Sequence, residues 1–221
     1  MTLKFDAHCR PLEGDLSMDR RLVTSRSNPW IQLAAAKLAR TSITPNQISV
    51  ASVLFALLVP AGLFGIDGVA GAAVAIGGIQ LRLLANVLDG LVAVEGGKGS
   101  RVGALYNEFP DRIADSIVLV AFGYAVSQPA LGWLAALLAA LTAYVRIFGG
   151  SLGQAQSFLG PMAKQHRMAV VTVALIGMAG LPTAWSARLS LACLLLIVGG
   201  AALTCIRRTR AICSGLQGQP Q

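Results

Sequence analysis

With 221 residues, 55% of them apolar and 13% charged, the chain is too hydrophobic for a soluble domain and reads as an integral membrane protein. Its formal net charge of +8 does not mark a nucleic-acid surface, because the basic residues sit at the ends of apolar segments instead of forming one patch. Cys9, Cys193, Cys205 and Cys213 have neither CxxC nor zinc-ligand spacing, so they read as small apolar fillers in a reducing compartment.

The first 27 residues are polar and mixed in charge, without the apolar run of a signal peptide. Residues 28–41 set Trp30, Ile31, Leu33 and Leu38 against Lys37 and Arg40, too short a run to span a bilayer and amphipathic enough to lie in its interface. Residues 1–41 are therefore expected to form a cytoplasmic segment with a juxtamembrane helix. A turn at Thr44-Pro45-Asn46 follows, and then apolar segments at about 47–66, 70–93, 103–124, 129–148, 167–182 and 188–206. The expected fold is all-α, with six transmembrane helices in a domain over 42–208, an N-terminal amphipathic interfacial helix, and a cytoplasmic tail at 209–221.

Short loops orient the bundle. Placing both termini in the cytoplasm puts Lys98, Arg101, Lys164, Arg167, Arg207, Arg208 and Arg210 inside and leaves Arg188 outside. Gly and Ala are dense in the second, fourth and fifth spans, where lipid gives no hydrophobic drive and small residues allow close helix packing. No internal repeat is visible, which counts against a two-fold repeat transporter.

Two polar stripes interrupt the apolar pattern. Arg82, Asn86, Asp89 and Ala93 recur at helical spacing on the second span, and Gly103, Asn107, Asp111 and Asp115 recur every four residues on the third. The short Gly-rich loop at 94–102 makes the two helices antiparallel neighbours, which brings Asn86 and Asp89 toward Asn107 and Asp111. Ionisable groups at such depth need a partner, an ion or water. Oxygen donors converging there suit Mg²⁺ or Mn²⁺, so these four residues are the expected metal site, for one or two ions. The plainer alternative is a polar cluster that cross-links the helices, with Arg82 or Arg112 paired to an aspartate.

The same residues resemble the CDP-alcohol phosphatidyltransferases. That family carries Asp-x2-Asp-Gly-x2-Ala-Arg-x8-Gly-x3-Asp-x3-Asp, and this chain reads Asn86-x2-Asp89-Gly90-x2-Ala93-Val94-x8-Gly103-x3-Asn107-x3-Asp111, keeping every spacing and five of the eight specified residues. Asp111-Arg112-Ile113-Ala114-Asp115 also resembles the run found in the phosphatidylinositol-phosphate synthase branch. A gapped pattern of this length is far more specific than a short motif.

The resemblance implies transfer of a phosphatidyl group from CDP-diacylglycerol, or a related CDP-linked alcohol, to an acceptor alcohol with release of CMP. It implies Asp111 as the catalytic proton acceptor, Asp89 as the surviving metal carboxylate, and Asn86 and Asn107 as carbonyl-oxygen ligands. It places Asn46, Gln47, Ser49, Gly90, Ala93, Ser100 and Gly103 against the CDP-lipid, although helix capping would also explain the first three and tight packing would explain Gly90. Arg146, Lys164 and Arg167, with His166 beside them, could gather around a diphosphate or an anionic acceptor; anchoring to lipid headgroups is the competing explanation. A homodimer in a bacterial inner membrane, with the active site on the cytoplasmic side, completes the implied picture.

The match departs at three positions. Asn86 and Asn107 remove two negative charges, which weakens divalent binding, and Val94 removes an arginine that Lys98 or Arg101 would have to replace. Three outcomes follow: one ion in place of two, recruitment of Glu108 or Asp115 as a ligand, or a fold retained without activity as a membrane scaffold. Glu108 would reach the site only if Pro110 bends the helix near residue 106. A small metal or ion transporter is the remaining alternative, and the apolar far halves of the spans count against it.

Overall fold

The computed structural model describes residues 28–100, 102–155 and 158–217. The polar leader, Cys9 and Arg101 lie outside the described residues. Among those described, the chain is helical and without strands: α1 Pro29–Ala39, α2 Pro45–Ala56, α3 Leu58–Gly65, α4 Gly68–Glu95, α5 Gly103–Ala125, α6 Pro129–Ser151, α7 Lys164–Gly180 and α8 Thr183–Gln217.

Local chemistry sets the helix starts. The Asn28 side chain accepts from the Trp30 amide at 3.0 Å and Pro29 occupies the first turn of α1, which leaves Trp30 and Leu33 exposed on its surface. Thr44 and Gln47 form a reciprocal capping box at α2: the Gln47 amide donates to Thr44 Oγ1 at 3.3 Å and the Thr44 amide donates to Gln47 Oε1 at 2.9 Å. α2 and α3 make one 21-residue apolar span broken at Leu57, because Pro60 has no N–H for the Ala56 carbonyl one turn back.

Among the described residues, four helical stretches are long and apolar enough to cross a membrane: Pro45–Gly65, Gly68–Glu95, Pro129–Ser151 and Thr183–Gln217. The remaining two expected spans differ for identifiable reasons. α5 carries Glu108, Asp111, Arg112 and Asp115 in its first half, and α7 has only 17 residues, beginning at Lys164. α8 overruns its expected end at 206 by eleven residues and is about 50 Å long at 1.5 Å per residue. The expected boundary between membrane domain and tail at 208 therefore falls inside a continuous helix.

α4 packs on α1, α2, α3 and α7; α5 packs on α2, α3 and α6; α8 backs α6 and α7. Ile79, Val118, Leu119, Phe122, Met168, Leu175, Leu194 and Ile197 fill the core. Two glycine pairs bring backbones together. A Cβ on Gly62 would lie 2.4 Å from the Gly71 carbonyl between α3 and α4, and one on Gly123 would lie 2.5 Å from the Gly132 Cα between α5 and α6.

Candidate active site

Side chains from α2, α4, α5 and α7 gather in a buried polar cluster. α2 packs against both α4 and α5, whereas those two helices scarcely touch each other through their backbones. The two stripes meet through their side chains and not through close backbone packing. Long Arg and Lys side chains make that contact, which the 94–102 loop length alone did not specify.

Asp89, on α4, is 5% exposed and accepts a 2.6 Å hydrogen bond from Ser49 Oγ on α2. Ser49 is itself buried, so it holds the carboxylate and does not line a surface for nucleotide. Gln47 is committed to the capping box, and Asn46 Nδ2 donates to Ser100 Oγ at 3.5 Å, linking the start of α2 to the loop before α5. Asn46 and Gln47 also edge a cavity of about 340 Å³ with Val50, Ala51, Leu54 and Tyr106. Tyr106 had no place in the sequence pattern; its position at the polar end of α5, where amphipathic aromatics favour an interface, is the signal that would have marked it. Gly90 and Ala93 are half-buried along α4, and a Cβ on Gly103 would stand 3.4 Å from Ser100 Oγ.

Asp111 and Asp115, one turn apart on α5, have different surroundings. Asp115 is 1% exposed; Arg82 Nη2 donates to its Oδ1 at 2.5 Å and Arg167 Nη2 to its Oδ2 at 2.7 Å. Both of its oxygens are occupied by buried guanidinium groups, which excludes it as an added metal ligand. The same geometry corrects the expectation for Arg167, which is 1% exposed and also donates to the Met162 carbonyl at 3.0 Å. A guanidinium so enclosed ties α5 to α7 and has no open face for a phosphate.

Asp111 is held from one side only. Lys164 Nζ donates to its Oδ2 at 2.6 Å, and Arg112 Nη2 stands 3.6 Å from the same oxygen. Its Oδ1 is buried without a hydrogen-bond partner, and Arg82 Nη2 stands 3.8 Å from it. Asp89 is close enough for the charges of Asp111 and Lys164 to act on it.

Glu108 departs from its expected recruitment. It pairs with Arg146 on α6 and lies 3.6 Å from Arg112, while α5 remains one helix through Pro110. Arg146, expected to be a phosphate ligand, is joined to Glu108 and lies over the Phe158 ring. Lys98, the suggested replacement for the missing arginine at Val94, donates to the Thr41 and Ile43 carbonyls at 2.5 and 3.2 Å and ties the loop to the α1–α2 connection. Lys164, with 26% of its side chain exposed, is the one of the three expected phosphate-binding cations that both reaches Asp111 and stays accessible.

Among the described residues, no three His, Cys, Asp or Glu side chains stand together as a metal cluster. The oxygen donors that converge are two carboxylates, Asp89 and Asp111, with the half-buried carboxamide of Asn86 on the same α4 stripe; Asn107 is exposed. Asp111 Oδ1 is, with Glu108 Oε2, a buried carboxylate oxygen without a hydrogen-bond partner, and of the two it is the one beside Asp89; a hard cation would satisfy it, so this set fits one Mg²⁺ or Mn²⁺.

No family model and no curated protein matches the chain. Solved structures do. The chain is similar to phosphatidylinositol phosphate synthase of Mycobacterium tuberculosis with CDP-DAG bound, at 25% identity and a TM-score of 0.63 over 82% of this chain and 92% of that one. The same enzyme in complex with manganese and citrate matches at 25% identity and 0.63, over 82% and 88%. Its apo form matches at 25% and 0.59, over 81% and 94%.

Proposed function

We propose that this integral membrane protein, whose structural neighbours are CDP-alcohol phosphatidyltransferases, transfers a phosphatidyl group from CDP-diacylglycerol or a related CDP-linked alcohol to an acceptor alcohol. The observation that carries the reading is the pair Asp89 and Asp111, buried on spaced stripes at the polar end of a fold shared with a synthase that binds CDP-DAG.

The acceptor oxygen attacks the phosphatidyl phosphorus, the bond from that phosphorus to the CMP phosphate oxygen breaks, and CMP leaves with the electron pair. Asp111 is the carboxylate that takes the acceptor's hydroxyl proton. Ser49 fixes the Asp89 carboxylate through its hydrogen bond to Oδ2. Lys164 neutralises charge beside Asp111, and the Arg82–Asp115–Arg167 ion pairs hold α4, α5 and α7 in register. A Mg²⁺ or Mn²⁺ held by Asp89, Asp111 and the Asn86 carbonyl oxygen supplies charge neutralisation to the diphosphate when bound.

The reading carries with it α5 and α7 as further spans, a homodimer, and a bacterial inner membrane with the site and both termini on the cytoplasmic face. The cytoplasmic orientation is supported by the concentration of Lys and Arg at the polar end. The test is CMP release by purified protein given CDP-diacylglycerol, Mn²⁺ or Mg²⁺ and a panel of alcohols, including inositol phosphate and glycerol phosphate. Release with one acceptor is expected. Silence across the panel would overturn the enzyme reading in favour of a scaffold.

A further inference from the structure

The polar cleft contains more built-in positive charge than a site organised around several metal ions needs. Asp111 is approached from three helices: Arg82 on α4 at 3.8 Å, Arg112 on α5 at 3.6 Å and Lys164 at the start of α7 at 2.6 Å. Facing them are Asp111 itself and Asp89, since Asp115 is saturated by Arg82 and Arg167, and Glu108 is drawn to Arg146 on α6, its Oε2 without a hydrogen bond and 3.6 Å from Arg112. The two Asn positions contribute dipoles and no charge. A second divalent ion would enter a cleft whose two available carboxylates already have cations beside them, and divalent affinity falls with each negative charge removed.

We propose that Lys164 is a resident cation of the diphosphate site, that it takes over the neutralising role a second ion would have, and that the site accordingly holds one divalent ion. The proposal rests on the transferase reading and adds to it the ion count and the residue that sets it. The helix geometry supports the assignment. Lys164 is the first residue of α7, a helix that packs on α4 and α8 and reaches α5 through the Lys164–Asp111 and Arg167–Asp115 pairs. The connection preceding it is pinned: the Met162 amide donates to Thr204 Oγ1 at 3.1 Å, and Arg208 on α8 donates to the Leu159 carbonyl at 2.9 Å. The ammonium is thus delivered to Asp111 by a fastened segment, while its partial exposure leaves donors for a phosphate oxygen.

The experiment counts Mn²⁺. Purified full-length protein in detergent is titrated with Mn²⁺ and the free ion is followed by electron paramagnetic resonance, with thermal melting as the check on folding. Wild type is expected to bind one ion without the broadened spectrum of a coupled pair. Lys164→Gln removes the adjacent positive charge and is expected to tighten Mn²⁺ binding by about tenfold or more, while Lys164→Arg stays near wild type. Two ions in wild type, no binding at all, or equal affinity in wild type and Lys164→Gln would each overturn the proposal. The wild-type count stands as a test even if Lys164→Gln does not fold. CMP release with two ions bound would leave the transferase standing and refute the role of Lys164; one ion bound without CMP from any alcohol would refute the transferase.

Discussion

The two ends of the bundle solve helix association by different means. At the apolar end, α3 meets α4 at Gly62 and Gly71, and α5 meets α6 at Gly123 and Gly132, so the contact is backbone against backbone with little side chain between. At the polar end, α4 and α5 stand apart and Arg82, Asp115, Arg167, Lys164 and Asp111 reach across. Close packing consumes space, whereas charged cross-links preserve it. The charged head of the proposed substrate would need an electrostatic field, and only the polar end supplies one.

The comparison breaks most readily at Asp111. If the polar end exists for chemistry, Asp111→Asn should cut CMP release by about 100- to 10,000-fold, in the range of a lost general base. Its melting temperature should move little, because an amide oxygen still accepts from Lys164. Unchanged turnover would show that the polar end is a structural cross-link only. Next in size is Asp115→Ala, which strands Arg82 and Arg167 in the bundle interior. Breaking a buried pair from one side costs about 3–5 kcal/mol, so thermal unfolding in detergent should occur well below the wild-type temperature. At the other end, Gly123→Leu should destabilise by about 1–3 kcal/mol through overpacking against Gly132, with Mn²⁺ affinity unaltered. A change in Mn²⁺ affinity there would mean that the ends are coupled.

The polar stripes were legible because a helical period keeps its phase through an apolar background: Asp89, Asp111 and Arg82 all fall in the cleft. The start of α2 was legible because Thr44, Pro45 and Gln47 carry their geometry in their chemistry. Arg167 was not. A basic residue at the start of a span looks the same in sequence whether it anchors to headgroups or turns inward, and the partner that decides it, Asp115, is 52 positions away. The length of α8 was hidden for a related reason. Arg207, Arg208 and Arg210 look like the end of a span, yet Arg208 is 5% exposed and donates to the Leu159 and Thr142 carbonyls, so the helix continues while packed against its neighbours. Long-range partners, not local pattern, fixed both.

The smallest effect separates capping from binding at the mouth of the cleft. Gln47 was expected against the CDP-lipid, but its side-chain oxygen accepts from the Thr44 amide and Thr44 Oγ1 accepts in return. Thr44→Ala should cost about 1 kcal/mol of stability, as a lost N-cap does. Gln47→Ala should cost no more, and the KM for CDP-diacylglycerol should follow helix stability in both variants. Ser49 lies in the same first turns of α2 and holds Asp89 at 2.6 Å, so loosening the cap from either side reaches the cleft by one route. A KM that rises for Gln47→Ala while Thr44→Ala leaves it unchanged would mean that the Gln47 side chain leaves its cap to meet the substrate, and that the polar end rearranges on binding.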